Sequence, residues 1–365
     1  MPTLKQFIIP LLIFLFSSCN PKSDYPYAIK DFDERLQIHL TKMVEEGIVM
    51  GSNSALQKIA TDSDLERLSS SEHPILRAAA FREMLDRKSF NHFDIILNHL
   101  YDTALVFTDA GEFGIWDRTV SDDILQEAGW KTQEEKNKTI DQVLAKHNYL
   151  RSAYIILSKL EPQHKYYPII KDMATRSRQL EPYSGNELGF GDIEYALYGL
   201  AKFRKKEDVQ LIKNQLIRHV WRLSNVSFGL MKEYPDTAYL DVLQKYHRRQ
   251  FYEFSGNRPG GFSGVIADRA SPEDFIAALA VQQNERSAKL LDTMLNRLPL
   301  VTCMPDKKSI IIQIVREIWE HPCPAYAELR EKVKLKAEED LKWQNSFSLD
   351  TTPIAVDTTD RLIYW

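Results

Sequence analysis

Apolar side chains recur along this chain at i, i+3, i+4 and i+7, the spacing that puts them on one face of a helix. Leu76, Ala80, Phe81, Met84 and Leu85 predict a helix entered at Pro74, and Phe93, Ile96, Leu97 and Leu100 predict a second one after a short break. The same couple returns as Leu150, Ala153, Tyr154 and Leu157 with Tyr166, Ile169, Ile170 and Met173. It returns again as Ile193, Ala196, Leu197 and Leu200 with Val209, Ile212 and Leu216. A weaker copy has Val226 and Leu230 with Tyr239, Val242, Leu243 and Tyr246. Phe275, Ile276, Leu279 and Ala280 with Leu291, Met294, Leu295 and Leu298 make the fifth copy. Ile311, Ile314, Val315 and Ile318 with Tyr326, Leu329 and Val333 make the sixth. One helix pair cannot bury its own stripe, whereas stacked pairs share a continuous core. The pattern therefore predicts an all-α fold of about six helix pairs, with Ala80, Ala153, Ala196 and Ala278 allowing close backbone approach.

Local signals set some boundaries. Ser271-Pro-Glu-Asp places a cap before a proline, and Thr132-Gln-Glu-Glu135 has capping-box spacing. Phe32, Leu36, His39, Leu40 and Met43 predict a helix over Asp31 to Gly47 that covers one end of the stack. Two stretches break the rhythm. One is Thr103 to Trp130, which is expected to be an irregular insertion or a diverged repeat. The other is the glycine-rich connection Gly256-Asn-Arg-Pro-Gly-Gly-Phe-Ser-Gly264.

Leu76-Arg-Ala-Ala-Ala-Phe-Arg-Glu-Met-Leu85 and Leu150-Arg-Ser-Ala-Tyr154 make the repeated region, roughly 73–340, similar to HEAT-like repeats of the armadillo type. That resemblance implies an α-α superhelix whose long surface holds a protein or peptide. The alternative closure of six pairs is an α/α toroid, a carbohydrate-active or carbohydrate-binding form with an acidic site near residues 109–123.

The N-terminus sets the compartment. Lys5 precedes the apolar run Phe7 to Phe16, and Ser17-Ser18-Cys19 follows, the order of a secretory signal. Ten apolar residues in a helix rise about 15 Å, half a bilayer core, too short for a permanent span. Phe16-Ser-Ser-Cys19 resembles the lipobox of bacterial lipoproteins, with Phe16 in place of the usual leucine. The resemblance implies cleavage before Cys19, acylation of Cys19 and export to the cell envelope, with Asn20 favouring the outer membrane. The expected layout is a signal peptide (1–18), a lipidated tether (19–30), the repeat domain (31–342, with its insertion at about 103–130) and an irregular tail (343–365).

Charge and cysteines narrow the partners. The 47 basic and 51 acidic side chains lose only Lys5 with the leader, so the mature chain is slightly more negative than the −4 of the full sequence. Such a balance argues against nucleic-acid binding, which needs a basic surface. With Cys19 acylated, Cys303 and Cys323 remain as a disulfide candidate. A helix of about 20 Å over Lys307 to Glu320 sets them apart, and bridged Cα atoms lie within about 7 Å, so the geometry is against the bridge.

The common catalytic signatures are missing. The sequence has no His-Glu-x-x-His, no Gly-x-Ser-x-Gly, no phosphate loop and no dinucleotide fingerprint. Gly189-Phe-Gly191-Asp-Ile-Glu194 reads as a turn entering a helix. His92 and His99 are too far apart along a helix to share a metal without other ligands. No catalytic residue, cofactor or metal is assigned. Asp109, Glu112, Asp117, Asp122 and Asp123 are expected as a solvated loop and helix cap, and Lys202, Arg204, Lys205 and Lys206 as a solvated basic junction. The candidate contacts for a ligand or partner are Trp116, Asp117 and Arg118 in the insertion, and Arg258 among its glycines, where a guanidinium can hold a carboxylate or phosphate.

Overall fold

The computed structural model describes residues 28–49, 54–109, 115–130, 132–176, 189–249, 271–296 and 307–339. Cys19 with its leader, Arg258 with its glycine-rich stretch, Leu298, Cys303 and the tail from 343 lie outside them. Among the described residues the fold is all-α apart from one small three-stranded sheet. It divides into two compact units, residues 1–128 and 129–365.

In the first unit, α1 (Glu34–Glu46) is capped by Asp33, which accepts from the Arg35 amide, and is stopped by Gly47 at φ 71°. Strand β1 (Ile48–Val49), α2 (Ser54–Ile59) and α3 (Asp62–Leu68) follow. Then come α4 (Pro74–Asp86), α5 (His92–His99), β2 (Leu105–Asp109), β3 (Ile115–Thr119) and α6 (Val120–Glu127). Proline opens α4, where its missing N–H costs nothing. The apolar stripe read from the sequence is only part of what α4 buries. Arg77, Ala78, Ala79 and Glu83 are buried too, because α1, α3, α6 and strands β1 and β2 all pack around this helix. A helix covered on every side is the hub of its unit.

The covering comes largely from the stretch expected to be irregular. It holds β2, β3 and α6, with β2 paired parallel to β1 and antiparallel to β3. Val106 and Thr108 turn inward and are buried, while Leu105 and Phe107 are exposed, the alternation of a sheet with one buried face. Both rows contain apolar residues, so the period of two is faint in the sequence.

The second unit is built from helix pairs. After α7 (Gln133–Lys146), whose Thr132–Glu135 capping box is formed, the pairs are α8 (Arg151–Lys159) with α9 (Tyr167–Thr175) and α10 (Gly189–Ala201) with α11 (Lys206–Arg218). They continue with α12 (Asn225–Glu233) and α13 (Leu240–Arg248), α14 (Pro272–Ala280) and α15 (Glu285–Asn296), and α16 (Lys307–Glu320) and α17 (Ala327–Glu339). First helices pack on first helices, α8 on α10, α10 on α12, α12 on α14 and α14 on α16. Second helices α11, α13 and α15 follow one another alongside. Ala153, Ala196 and Ala278 are fully buried in this stack. In the weak fourth copy Val226 is only half-buried, and Ser227, Phe228 and Met231 join Leu230 inside.

Polar side chains tie successive pairs together. Asp192 of α10 meets Arg151 of α8, and Glu194 accepts from the Ser224 amide and hydroxyl at the start of α12. Asn225 of α12 accepts from the amide of Ser271, the N-cap of α14. Along the second helices, Lys171 meets Asp208, and Lys213 and Arg286 both meet Asp241.

Two glycines measure how closely the first helices approach. A Cβ on Gly199 would stand 3.1 Å from Leu157 Cβ and 3.3 Å from its carbonyl oxygen, whereas one on Gly229 would meet only a Tyr198 ring carbon at 3.6 Å. Gly229→Ala is expected to raise stability by about 0.5–1 kcal/mol through helix propensity. Gly199→Val is expected to lower it by about 1–3 kcal/mol, because α8 must move. Urea unfolding of both variants checks the contrast, and two shifts of the same sign would contradict it.

Candidate functional site

The strand register separates the residues that sequence reading put together. Asp117 lies directly opposite Phe107, on the outer face of the sheet, and Arg118 lies opposite Val106, on the inner face. Arg118 is directed internally: its Nη1 donates to Gln126 Oε1 at 2.5 Å and stands 3.4 Å from Asp123 Oδ1. The Trp116 backbone pairs with Thr108.

Of the acids expected as a solvated loop and helix cap, Asp122 and Asp123 form the cap end of α6 but are not solvated, Asp117 is half-buried, and Glu112 lies outside the described residues. Asp123 is fully buried and accepts two bonds from Arg82, at 2.7 and 2.5 Å. Asp122 is buried as well and accepts from Thr119 Oγ1 at 2.9 Å, while that hydroxyl caps the Asp122 amide. Pairing with arginine and with a helix cap is what permits these carboxylates to leave water. Asp123 is occupied in holding α6 to α4 and Asp122 in the cap of α6, so the two do not present a carboxylate pair to a ligand. His99 stacks on Phe81 at 4.3 Å, and burial pushes its imidazole below the usual range. His92 bonds the Arg87 carbonyl. Both are packed histidines.

A better-formed site lies in the second unit, between the turn that joins α10 to α11 and the turn that joins α12 to α13. It is a cleft of about 310 Å³, with Arg204, Lys205 and Lys206 on one side, Tyr234, Pro235 and Tyr239 on the other, and Leu200 and Ile212 among its apolar lining. The Arg204 guanidinium stands 5.4 Å from the Tyr234 ring centroid, and Lys205 Nζ stands 3.3 Å from that of Tyr167. These cations meet aromatic faces, which attract positive charge without neutralising it. Lys202 does something different: its ammonium donates to the Ser158 and Leu160 carbonyls at the end of α8.

The acids around the cleft have structural partners. Asp208 is buried and accepts from Lys171 Nζ at 2.7 Å and from the Tyr167 hydroxyl. Asp236 caps the turn of 3-10 helix at Thr237–Tyr239. Glu233 accepts from Tyr198, whose hydroxyl is held above its usual range first by burial and then by that bond. Burial, reinforced by Asp236 and Asp208, also raises the Tyr239 hydroxyl. It stays protonated at neutral pH.

Neither a family model, a curated protein nor a solved structure matches this chain.

The internal repeat therefore supplies the comparison. The turn from α14 to α15 repeats that from α10 to α11: Gln283 takes φ 50° where Arg204 takes φ 52°. Its residues are Gln283, Asn284 and Glu285, so the left-handed turn recurs and its positive charge does not. The basic residues at 204–206 are not a requirement of the turn. A second repeated feature escaped the sequence reading, Pro-x-x-x-Tyr at 162–166, 235–239 and 322–326. Each tyrosine closes a short 3-10 turn ahead of a second helix and is buried. Tyr326 shows the purpose: its hydroxyl donates to the Ala280 carbonyl at 2.7 Å and meets Ser287 Oγ at 2.8 Å, locking its pair onto the preceding one. A search for tyrosine four residues after proline finds all three. Arg258, the other candidate contact, lies outside the described residues, and Cys323 carries a free thiol.

Proposed function

We propose that the chain is a lipoprotein, acylated at Cys19, whose HEAT-like helix pairs form an α-α superhelical scaffold at the outer membrane and bind an acidic peptide segment of a protein partner in the 204–239 cleft. What carries the binding half of this reading is the cationic, aromatic-lined character of one inter-pair turn whose geometric twin at 283–285 lacks it. A carboxylate entering the cleft meets Arg204 and Lys205, while the Tyr234 ring and Pro235 take an apolar neighbour. Asp117 beside the exposed Phe107 and Leu105 is a separate, weaker candidate contact in the first unit. The lipid raises the scaffold's local concentration at the membrane, and several acyl chains hold where one does not.

The binding half is tested by fluorescence anisotropy of equal-length acidic, neutral and basic peptides titrated with the full chain. Acidic peptides are expected to bind, and Arg204→Glu/Lys205→Glu to weaken them at least about tenfold, which is about 1.4 kcal/mol. Asn284→Glu in the twin turn is expected to change nothing. Equal binding of all three peptide classes, or by the double variant, rejects the reading. For the anchor, Cys19→Ala is expected to abolish labelling by radioactive palmitate, and label retained in that variant overturns the assignment.

A further inference from the structure

At the C-terminal end of α16, Glu317, Glu320 and His321 share one face at i, i+3 and i+4, and their donor atoms lie within 4.8 Å of one another. Glu317 is the unusual member. It is 2% exposed. Its Oε1 accepts from Gln313 Nε2 at 2.7 Å, and its Oε2 is enclosed without a hydrogen-bond donor. His321 Nε2 stands 3.6 Å from it, beyond hydrogen-bond distance. A buried carboxylate oxygen without a hydrogen-bond donor thus stands within 4.8 Å of an imidazole nitrogen and a second carboxylate, a donor set suited to a cation.

We propose that Glu317, Glu320 and His321 form a binding site for a divalent transition-metal cation of the zinc class. One imidazole nitrogen with two carboxylates suits Zn²⁺ or Co²⁺ better than Ca²⁺ or Mg²⁺, which take oxygen ligands almost alone. Ligands about 2.0–2.2 Å from a common tetrahedral ion stand about 3.3–3.6 Å apart. The 3.6 Å between Glu317 and His321 is already close to that, and Glu320 reaches the rest by rotating an exposed side chain. The site also sits where the last carbonyls of α16 give the helix end its negative pole, which favours a cation. Arg316 opposes it, with a guanidinium nitrogen 3.8 Å from Glu317 Oε1, but that side chain is more than half exposed and free to turn to solvent. Lys232 acts on Glu317 in the same direction as Arg316. Three protein ligands leave at least one position for water. The ion would pin the end of α16 to the turn that leads to Tyr326.

The experiment is isothermal titration of the full chain with ZnCl₂, and with CoCl₂ while the visible absorption of the ion is followed. The nine histidines of the chain give weak scattered binding, so the variants decide. The wild type is expected to bind one ion more tightly than the rest and to melt at a higher temperature with Zn²⁺ present. Glu317→Gln and His321→Ala are each expected to weaken that ion at least about tenfold and to lose the thermal shift. Should Glu317→Gln fail to fold, Glu320→Gln on the exposed ligand makes the same test. No tight ion in the wild type, or the same tight ion in every variant, overturns the proposal.

Discussion

Replacing Asp123 by alanine is expected to destabilise the first unit by about 3–5 kcal/mol, the range for removing one partner of a buried ion pair. The reason is what remains. Asp123 is the fully buried acceptor for Arg82 and faces Arg118, whose side chains are 11% and 9% exposed. Without the carboxylate, two buried guanidiniums lose the acid that lies nearest to both. Glu127, 3.7 Å from Arg82 and 42% exposed, is too distant to replace the two short bonds that Asp123 accepts. The joint replacement Arg82→Met/Asp123→Leu is expected to cost clearly less than the two single changes added together, since an apolar pair leaves no orphaned charge. Hydrogen exchange of amides in α4 and α6, alongside urea unfolding, reads the effect. A loss below about 1 kcal/mol for Asp123→Ala would show that the pair is not what holds α6.

The same network explains which features were legible in the sequence. Helix pairs were, because a stripe such as Ile193, Ala196, Leu197 and Leu200 is written at the period of the helix and the stack buries that stripe. Asp122 and Asp123 were not. An acidic run reads as solvent-facing unless its partners are known, and Arg82 lies 41 positions away in sequence. Strands β2 and β3 were masked for a related reason: five residues with apolar side chains on both faces carry too little alternation to stand out. The cleft was illegible in another way. Arg204, Lys205 and Lys206 were visible as a basic junction, but Tyr234 and Tyr239 come to face them only through the stacking of one pair on the next. The buried tyrosines, by contrast, were available as a motif. Pro-x-x-x-Tyr is a local pattern, overlooked because apolar periodicity counts Tyr166, Tyr239 and Tyr326 as ordinary members of a stripe.

Acid is expected to loosen the second unit through His247. Its ring is buried in α13, lies 6.4 Å from the Phe275 ring and bonds the Leu290 backbone. Burial pushes its imidazole down to about 4, from an ordinary value of 6.5. Above pH 6.5 the ring is neutral in folded and unfolded chains alike, and its contribution is fully present. As pH falls from 6.5 towards 4, the unfolded chain binds a proton that the folded chain refuses, so stability declines. The loss amounts to about 2 kcal/mol at pH 5 and about 3 kcal/mol below pH 4. His147 and His219 are also depressed, first by burial, and contribute in the same direction. They titrate equally in a His247→Leu variant. The difference between wild type and variant, from urea unfolding at half-unit steps between pH 7.5 and 4 (roughly the window of the linkage), therefore isolates His247. The wild type is expected to lose about 2 kcal/mol relative to the variant between pH 7.5 and 5, because only the wild type loses this increment, and curves that stay parallel would place the proton elsewhere.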